Sequence, residues 1–172
     1  MRWIFRIRRR SGDNYLGLMK LSGFLNEQAV CTALKSTSRD EVIKELVTLL
    51  EKAHGIKTGG EILKRVTERE AMMSTGIGNG VAIPHGKAKS IKNLLASCGI
   101  APKGIDFQAV DQQPVTLFIL LVSPEECRGP HVRALANISR LLREEHVREG
   151  LKKAPTAQKF LEVLKEAEAK YL

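Results

Sequence analysis

The sequence predicts a single α/β domain, a mixed β-sheet with helices on both sides, and three observations carry that prediction. VTLFILLV at 115–122 is an apolar run of strand length rich in β-formers, too short for the roughly 20 residues of a membrane span. Segments with helical apolar spacing precede and follow it. Turn signals such as PKG and DQQP separate the strand-like runs, so part of the pairing is antiparallel.

In chain order, residues 24–34 are mixed enough to be a strand or an entry loop. S38-R-D-E41 then has the spacing of a capping box. Val42, Ile43, Leu46, Leu49, Leu50 and Ala53 follow at helical spacing, and Gly55 suits a left-handed stop. A second helix is expected over 60–72, with Ile62, Leu63 and Val66 inward and Arg69 near its last turn. Residues 75–80 are too glycine-rich to predict regular structure. Residues 81–83 read as a short buried strand stopped by Pro84, which places His85 just past its end. A strand over 94–101, a turn at 102–104, a further short strand over 104–110 and a turn at 111–114 lead to the apolar strand. The period returns to helical from Pro130, with Val132, Leu135, Ile138, Leu141 and Leu142 on one face and His131 offered at the helix start. A last helix over 156–170 brings Phe160, Leu161, Val163 and Leu164 to the core.

Composition excludes several classes of protein. At 172 residues with 43% hydrophobic and 27% charged residues, the chain is of one-domain size and neither disordered nor membrane-embedded. Cys31, Cys98 and Cys127 are odd in number and form no C-x-x-C pair, which fits reduced thiols and a cytoplasmic location. Of 28 basic and 19 acidic residues, six basic and one acidic lie in residues 1–20, leaving 22 against 18 for the rest. The basic extension at 1–18 reads as a flexible arm, an anionic-surface anchor, or residues upstream of a chain starting at Met19, and 19–172 as the domain. KRVTERE and LLREEHVREGLKK interleave both signs, as solvated helix faces do, so no nucleic-acid partner is expected.

The stretch TGIGNGVAIPHGK holds His85 between glycines and a proline, beyond a strand end where open α/β sheets place ligand sites. Amides of Gly76, Gly78 and Gly80, with hydroxyls of Ser74 and Thr75, are candidate donors to an anion. Arg69 offers a planar fork suited to phosphate, and His131 at a helix start favours a nearby anion. A neutral imidazole so framed can carry a phosphoryl group on nitrogen. The residues alone leave an ordinary turn histidine open as well. TGIGNGVA lacks the third glycine of a dinucleotide fingerprint, VAIPHGKA lacks the first glycine and the Ser/Thr of a P-loop, and no compact metal-ligand set or nucleophile elbow is present.

R69-E70, S-T-G-I-G-N-G-V-A-I-P-H85, D-Q-Q-P-V115, V-S-P124 and H131-V-R-A-L135 together resemble the enzyme IIA family of the bacterial phosphotransferase system, in its fructose/mannitol and nitrogen-regulatory branch. The resemblance implies a phosphoryl relay with no cofactor. His85 matches the acceptor histidine, His131 the second pocket histidine and Arg69 the arginine that steadies the phosphoryl group. Gly129-Pro130 before His131 departs from the family pattern, and the basic arm has no counterpart in it. The implied donor is a histidine-phosphorylated phosphocarrier protein resembling HPr; the implied acceptor is a regulated target protein or a separate IIB. With no IIB or membrane segment following, the nitrogen-regulatory branch is favoured over the sugar-specific one. Two other classes stay open: a non-catalytic protein-binding module, and a nucleic-acid binder acting through the arm.

Overall fold

The computed structural model describes residues 19–172; the arm separated at 1–18 in the sequence lies outside the described residues. Six strands form one mixed sheet: β1 (Val30–Cys31), β2 (Gly76–Gly78), β3 (Val81–Ala82), β4 (His85–Ala88), β5 (Leu95–Ile105) and β6 (Val115–Pro124). Their order is β1-β5-β6-β3-β2, with β4 also paired to β6. β5 and β6 are antiparallel, as are β2 and β3, whereas β1 runs parallel to β5 and both β3 and β4 run parallel to β6.

The apolar strand organises both layers because its side chains alternate between two faces. Leu117, Ile119 and Leu121 point into one core, closed by α3 (Arg128–Leu141), α4 (Glu145–Lys152) and α5 (Ala157–Tyr171). Phe118, Leu120 and Val122 point into the other, closed by α1 (Arg39–His54) and α2 (Glu61–Met72). Burial on both faces explains why this strand is a continuous apolar run, each large side chain contributing about 1.5–3 kcal/mol over its exposed state.

The capping signals do what their chemistry requires. The Ser38 side chain accepts from the Glu41 amide, the Glu41 carboxylate accepts from the Thr37 amide and hydroxyl, and Gly55 ends α1 at φ 63°. The Thr156 hydroxyl accepts from the Lys159 amide at the start of α5.

Five local readings change in three dimensions. The glycine-rich 75–80 stretch contains regular structure after all: β2 pairs with β3 through a bulge, and Gly76 passes so close to Ala109 that a Cβ would lie 2.7 Å from the Ala109 Cβ. His85 starts a strand of its own, β4, which continues the line of β3 along β6 after the interruption at Ile83 and Pro84. β5 runs straight through the expected turn at 102–104; Ile100 pairs with Leu117 and Ile105 with Val115, so five steps oppose two and Pro102 sits in the bulge. The segment 106–110 is accordingly not a strand. The face of α3 is turned by one residue, burying His131, Ala134, Ile138 and Leu141 and leaving Val132 exposed. A separate short helix, α4, buries Val147 and Leu151.

Candidate functional site

His85 stands at the first position of β4, opposite Leu121 of β6. Its ring is anchored within its own turn: Nδ1 lies 2.8 Å from the Ile83 carbonyl oxygen. A carbonyl only accepts, so Nδ1 carries the proton and the Nε2 lone pair is left free. Pro84 keeps the ladder closed at this break, its carbonyl accepting from the Leu121 amide at 3.0 Å. Burial lowers the pKa of His85 and the Arg69 guanidinium lowers it further, against opposing contributions from the Ile83 hydrogen bond and Glu70. The ring is therefore held neutral.

His131 comes from the first turn of α3, where Pro130 removes an N–H that has no helical partner. The one-residue turn of the α3 face points it inward; only 5% of it is exposed. Ser123, fully buried near the end of β6, sits with its hydroxyl 2.8 Å from His131 Nδ1. The two imidazoles lie with centroids 5.5 Å apart at 56°. The pKa of His131 is pushed down to about 4, first by burial and then by His85 and Lys87.

A cleft of about 500 Å³ opens beside these rings. α2 contributes Arg65, Glu68, Arg69 and Met72, β4 contributes His85, Gly86 and Lys87, and Glu125 and His131 complete it. Arg69 Nη1 donates to the Met73 carbonyl at 2.9 Å, which bends the guanidinium over the end of α2. Among the described residues neither Arg69 nor Lys87 is in an ion pair. Two cations thus face a neutral histidine without carboxylate partners, an arrangement suited to an incoming dianion.

His85, His131 and Arg69 are brought together; the five other residues expected around an anion are not among those lining the cleft. The Ser74 hydroxyl donates to the Phe107 carbonyl and accepts from the Gly76 amide. The Thr75 amide and hydroxyl are both bonded to the buried Glu70 carboxylate. Gly78 lies against Asp111, whose carboxylate accepts from the Asn79 amide at 2.9 Å. Gly80 adjoins Val81, which pairs with Leu117, four residues before Leu121; the turn is thus about 13 Å along the sheet from His85. The glycine run builds the β2–β3 hairpin at the sheet edge, and the expected cage of amides does not form. The Ser74 hydroxyl, the Thr75 amide and hydroxyl and the Gly76 amide are engaged by Phe107, Glu70 and Ser74, and Gly78 and Gly80 lie in the hairpin rather than along the cleft.

Sequence reasoning missed Arg65, Glu68, Lys87, Ser123 and Glu125. Lys87 was accessible from the period of two on a strand starting at His85, and Arg65 from the period of four before Arg69. Ser123 and Glu125 enter through the meeting of β6 with α3, which no local pattern reveals.

Residues 23–167 match the family model described as the phosphoenolpyruvate-dependent sugar phosphotransferase system, EIIA 2. A nitrogen regulatory protein of Bradyrhizobium diazoefficiens is 32% identical over 146 residues, covering 85% of this chain and 95% of the relative. The fructose-specific EIIABC component of Bacillus subtilis is 31% identical over 146 residues, again 85% of this chain, but the match spans only 23% of that longer protein. Among solved structures, nitrogen regulatory protein IIA-Ntr of Neisseria meningitidis superposes with a TM-score of 0.77 at 26% identity, covering 83% of this chain and 97% of the other. The mannitol enzyme IIA of Escherichia coli, solved in complex with phosphorylated mannitol enzyme IIB, shares the fold with a TM-score of 0.71 at 21% identity, over 83% and 97% of the two chains.

Proposed function

The chain belongs to the EIIA type 2 family of the phosphoenolpyruvate-dependent sugar phosphotransferase system, and from that premise we propose that His85 is its phosphoryl-carrying residue. The observation that carries this reading is the pairing of His85 Nδ1 with the Ile83 carbonyl at 2.8 Å, which leaves the Nε2 lone pair for attack. In the transfer, the phosphorus–nitrogen bond of a donor phosphohistidine breaks with its electron pair returning to the donor ring. The Nε2–phosphorus bond of His85 forms in its place. Positive charge appearing on the His85 ring strengthens the Nδ1–H bond to Ile83. Arg69 and Lys87 offset the charge of the phosphoryl group, and His131, oriented by Ser123, offers its other ring nitrogen as a neutral donor.

The donor in this reading is a histidine-phosphorylated carrier protein, and the setting is the cytoplasm; among the described residues no helix is long and apolar enough to cross a membrane. The nitrogen-regulatory branch has the better support, from the 95% coverage of the Bradyrhizobium protein and the 26% identity with IIA-Ntr of Neisseria meningitidis. Its output is phosphorylation-dependent binding of a regulated target protein. The comparable identity of the fructose-specific relative keeps transfer to a IIB protein as the second reading.

Incubation with phosphoenolpyruvate, the first enzyme of the system and its carrier protein, followed by intact mass measurement, tests the assignment. The protein should gain one phosphoryl group and His85→Ala none, with its circular dichroism unchanged. Labelling of His85→Ala to the same level would overturn the assignment. Adding a fructose- or mannitol-type IIB to the phosphorylated protein separates the branches, since only a sugar-specific IIA passes the group on.

A further inference from the structure

Arg65 lies one helical turn before Arg69 on α2 and lines the same cleft as His85. Its backbone runs directly over the neighbour of His85: a Cβ at Gly86 would lie 3.4 Å from the Arg65 carbonyl carbon. Unlike Arg69, which is held by the Met73 carbonyl, it is paired with carboxylates, with Nη1 3.8 Å from Glu68 and Nη2 3.7 Å from Glu125. Both pairs are long, and their carboxylates are 53% and 43% exposed, so each is worth little. Glu125 has a second cation in reserve, Lys89, at 3.6 Å.

We propose that Arg65 is a switchable counter-ion of the phosphoryl group, parked on Glu68 and Glu125 while His85 is free and drawn to the group once it arrives. This rests on the reading of His85 as the phosphoryl carrier. A dianion in the cleft offers a guanidinium a bidentate, charge-assisted partner, which outcompetes two half-solvated single contacts. Leaving its carboxylates costs Arg65 little, because Lys89 stays with Glu125 and Lys64, 3.9 Å from Glu68, stays with that one. The rim of the cleft changes with the state of the site: Glu68 and Glu125 lose a shared cation when His85 is loaded. A partner protein with a basic contact surface would therefore sense phosphorylation at two carboxylates as well as at the phosphoryl group itself. Arg65 is a positioning residue for the phosphoryl group in this account and a charge reporter at the rim.

The test uses the whole protein with Arg65→Ala, Arg65→Lys and Glu125→Gln, phosphorylated by the carrier protein. Arg65→Ala should take up the group about three- to tenfold more slowly and lose it faster by hydrolysis, and Arg65→Lys should recover part of both. Glu125→Gln should speed uptake, and that gain should be mostly lost when combined with Arg65→Ala. The Arg65 Nε–H resonance, assigned by its disappearance in Arg65→Lys, should shift on phosphorylation, which a merely structural role would not produce. Uptake by Arg65→Ala equal to that of the unaltered protein, or an Nε–H resonance that phosphorylation leaves in place, overturns the proposal while leaving His85 as carrier intact. Failure of the unaltered protein to label overturns both.

Discussion

His85 and His131 face each other with ring centroids 5.5 Å apart, and each is fixed through Nδ1, one by the Ile83 carbonyl and the other by the Ser123 hydroxyl. Two imidazoles this close do not both protonate at low cost, and burial adds to the penalty. Both pKa values are lowered, that of His131 to about 4. The unfolded chain takes up these protons near the ordinary histidine value of about 6.5 while the folded one refuses them, so stability falls as pH drops from about 6.5 to about 4.

For His131 alone the loss across that window is on the order of 3 kcal/mol. His131→Asn keeps an acceptor for Ser123 and removes the titration. Urea unfolding between pH 7 and pH 4.5 should therefore show a shallower decline in the variant than in the unaltered protein. Parallel declines would mean that His131 does not resist protonation in the fold.

Arg69 and Glu70 are adjacent yet have separable duties. Glu70 is buried with both carboxylate oxygens on Thr75, holding the entry to the β2–β3 hairpin, whereas Arg69 turns its guanidinium to the Met73 carbonyl in the cleft. Glu70→Ala strands a buried amide and hydroxyl and should lower stability by about 2–4 kcal/mol in urea unfolding. Arg69→Ala should stay within about 1 kcal/mol of the unaltered protein and slow phosphoryl uptake at least about tenfold. The reverse pattern would exchange the two roles.

That division explains what could and could not be read ahead of the fold. α1 was legible because its stop and start are written locally, in Ser38, Glu41 and Gly55, and β6 because burial on both faces demands an unbroken apolar run. β4 was not legible: His-Gly-Lys-Ala contains no β-former, and it is a strand only because β6 offers it an edge. α4 was hidden in a charged stretch whose only apolar signal is Val147 and Leu151 at i and i+4. The histidines and Arg69 announced themselves by residue type, but the glycines misled. Glycine serves equally for approach to an anion and for approach to another backbone, and here the neighbour is Ala109.

Gly76→Ala tests that last statement. Its Cβ would sit 2.7 Å from the Ala109 Cβ and 2.8 Å from the Ala109 Cα. The clash should cost about 1–3 kcal/mol in thermal or urea unfolding. Ala109→Gly in the same chain should recover part of the loss and no more, because the overlap with the main chain of residue 109 remains. A Gly76→Ala protein of normal stability but impaired phosphoryl uptake would instead return this glycine to the site.

Gly86→Ala asks how accurately α2 must be seated. A Cβ there would lie 3.1 Å from Val66 Cγ2 and 3.2 Å from the Val66 amide nitrogen. The backbone clash cannot be relieved by a side-chain rotation, so α2 must lift by a few tenths of an ångström. That helix carries Arg65, Arg69 and Met72 into the cleft, and transfer to a positioned nucleophile is sensitive to displacements well under about 1 Å. The variant should lose about 1 kcal/mol of stability and take up the phosphoryl group about three- to tenfold more slowly. Gly129→Ala, where an added Cβ meets nothing within 4 Å in the first turn of α3, is the matching control. It should take up the phosphoryl group at the unaltered rate and be no less stable, with a gain of up to about 1 kcal/mol because alanine is the better helix former. Equal uptake rates in the two variants would show that the guanidinium positions tolerate the shift, and that the close approach of α2 to Gly86 serves packing alone.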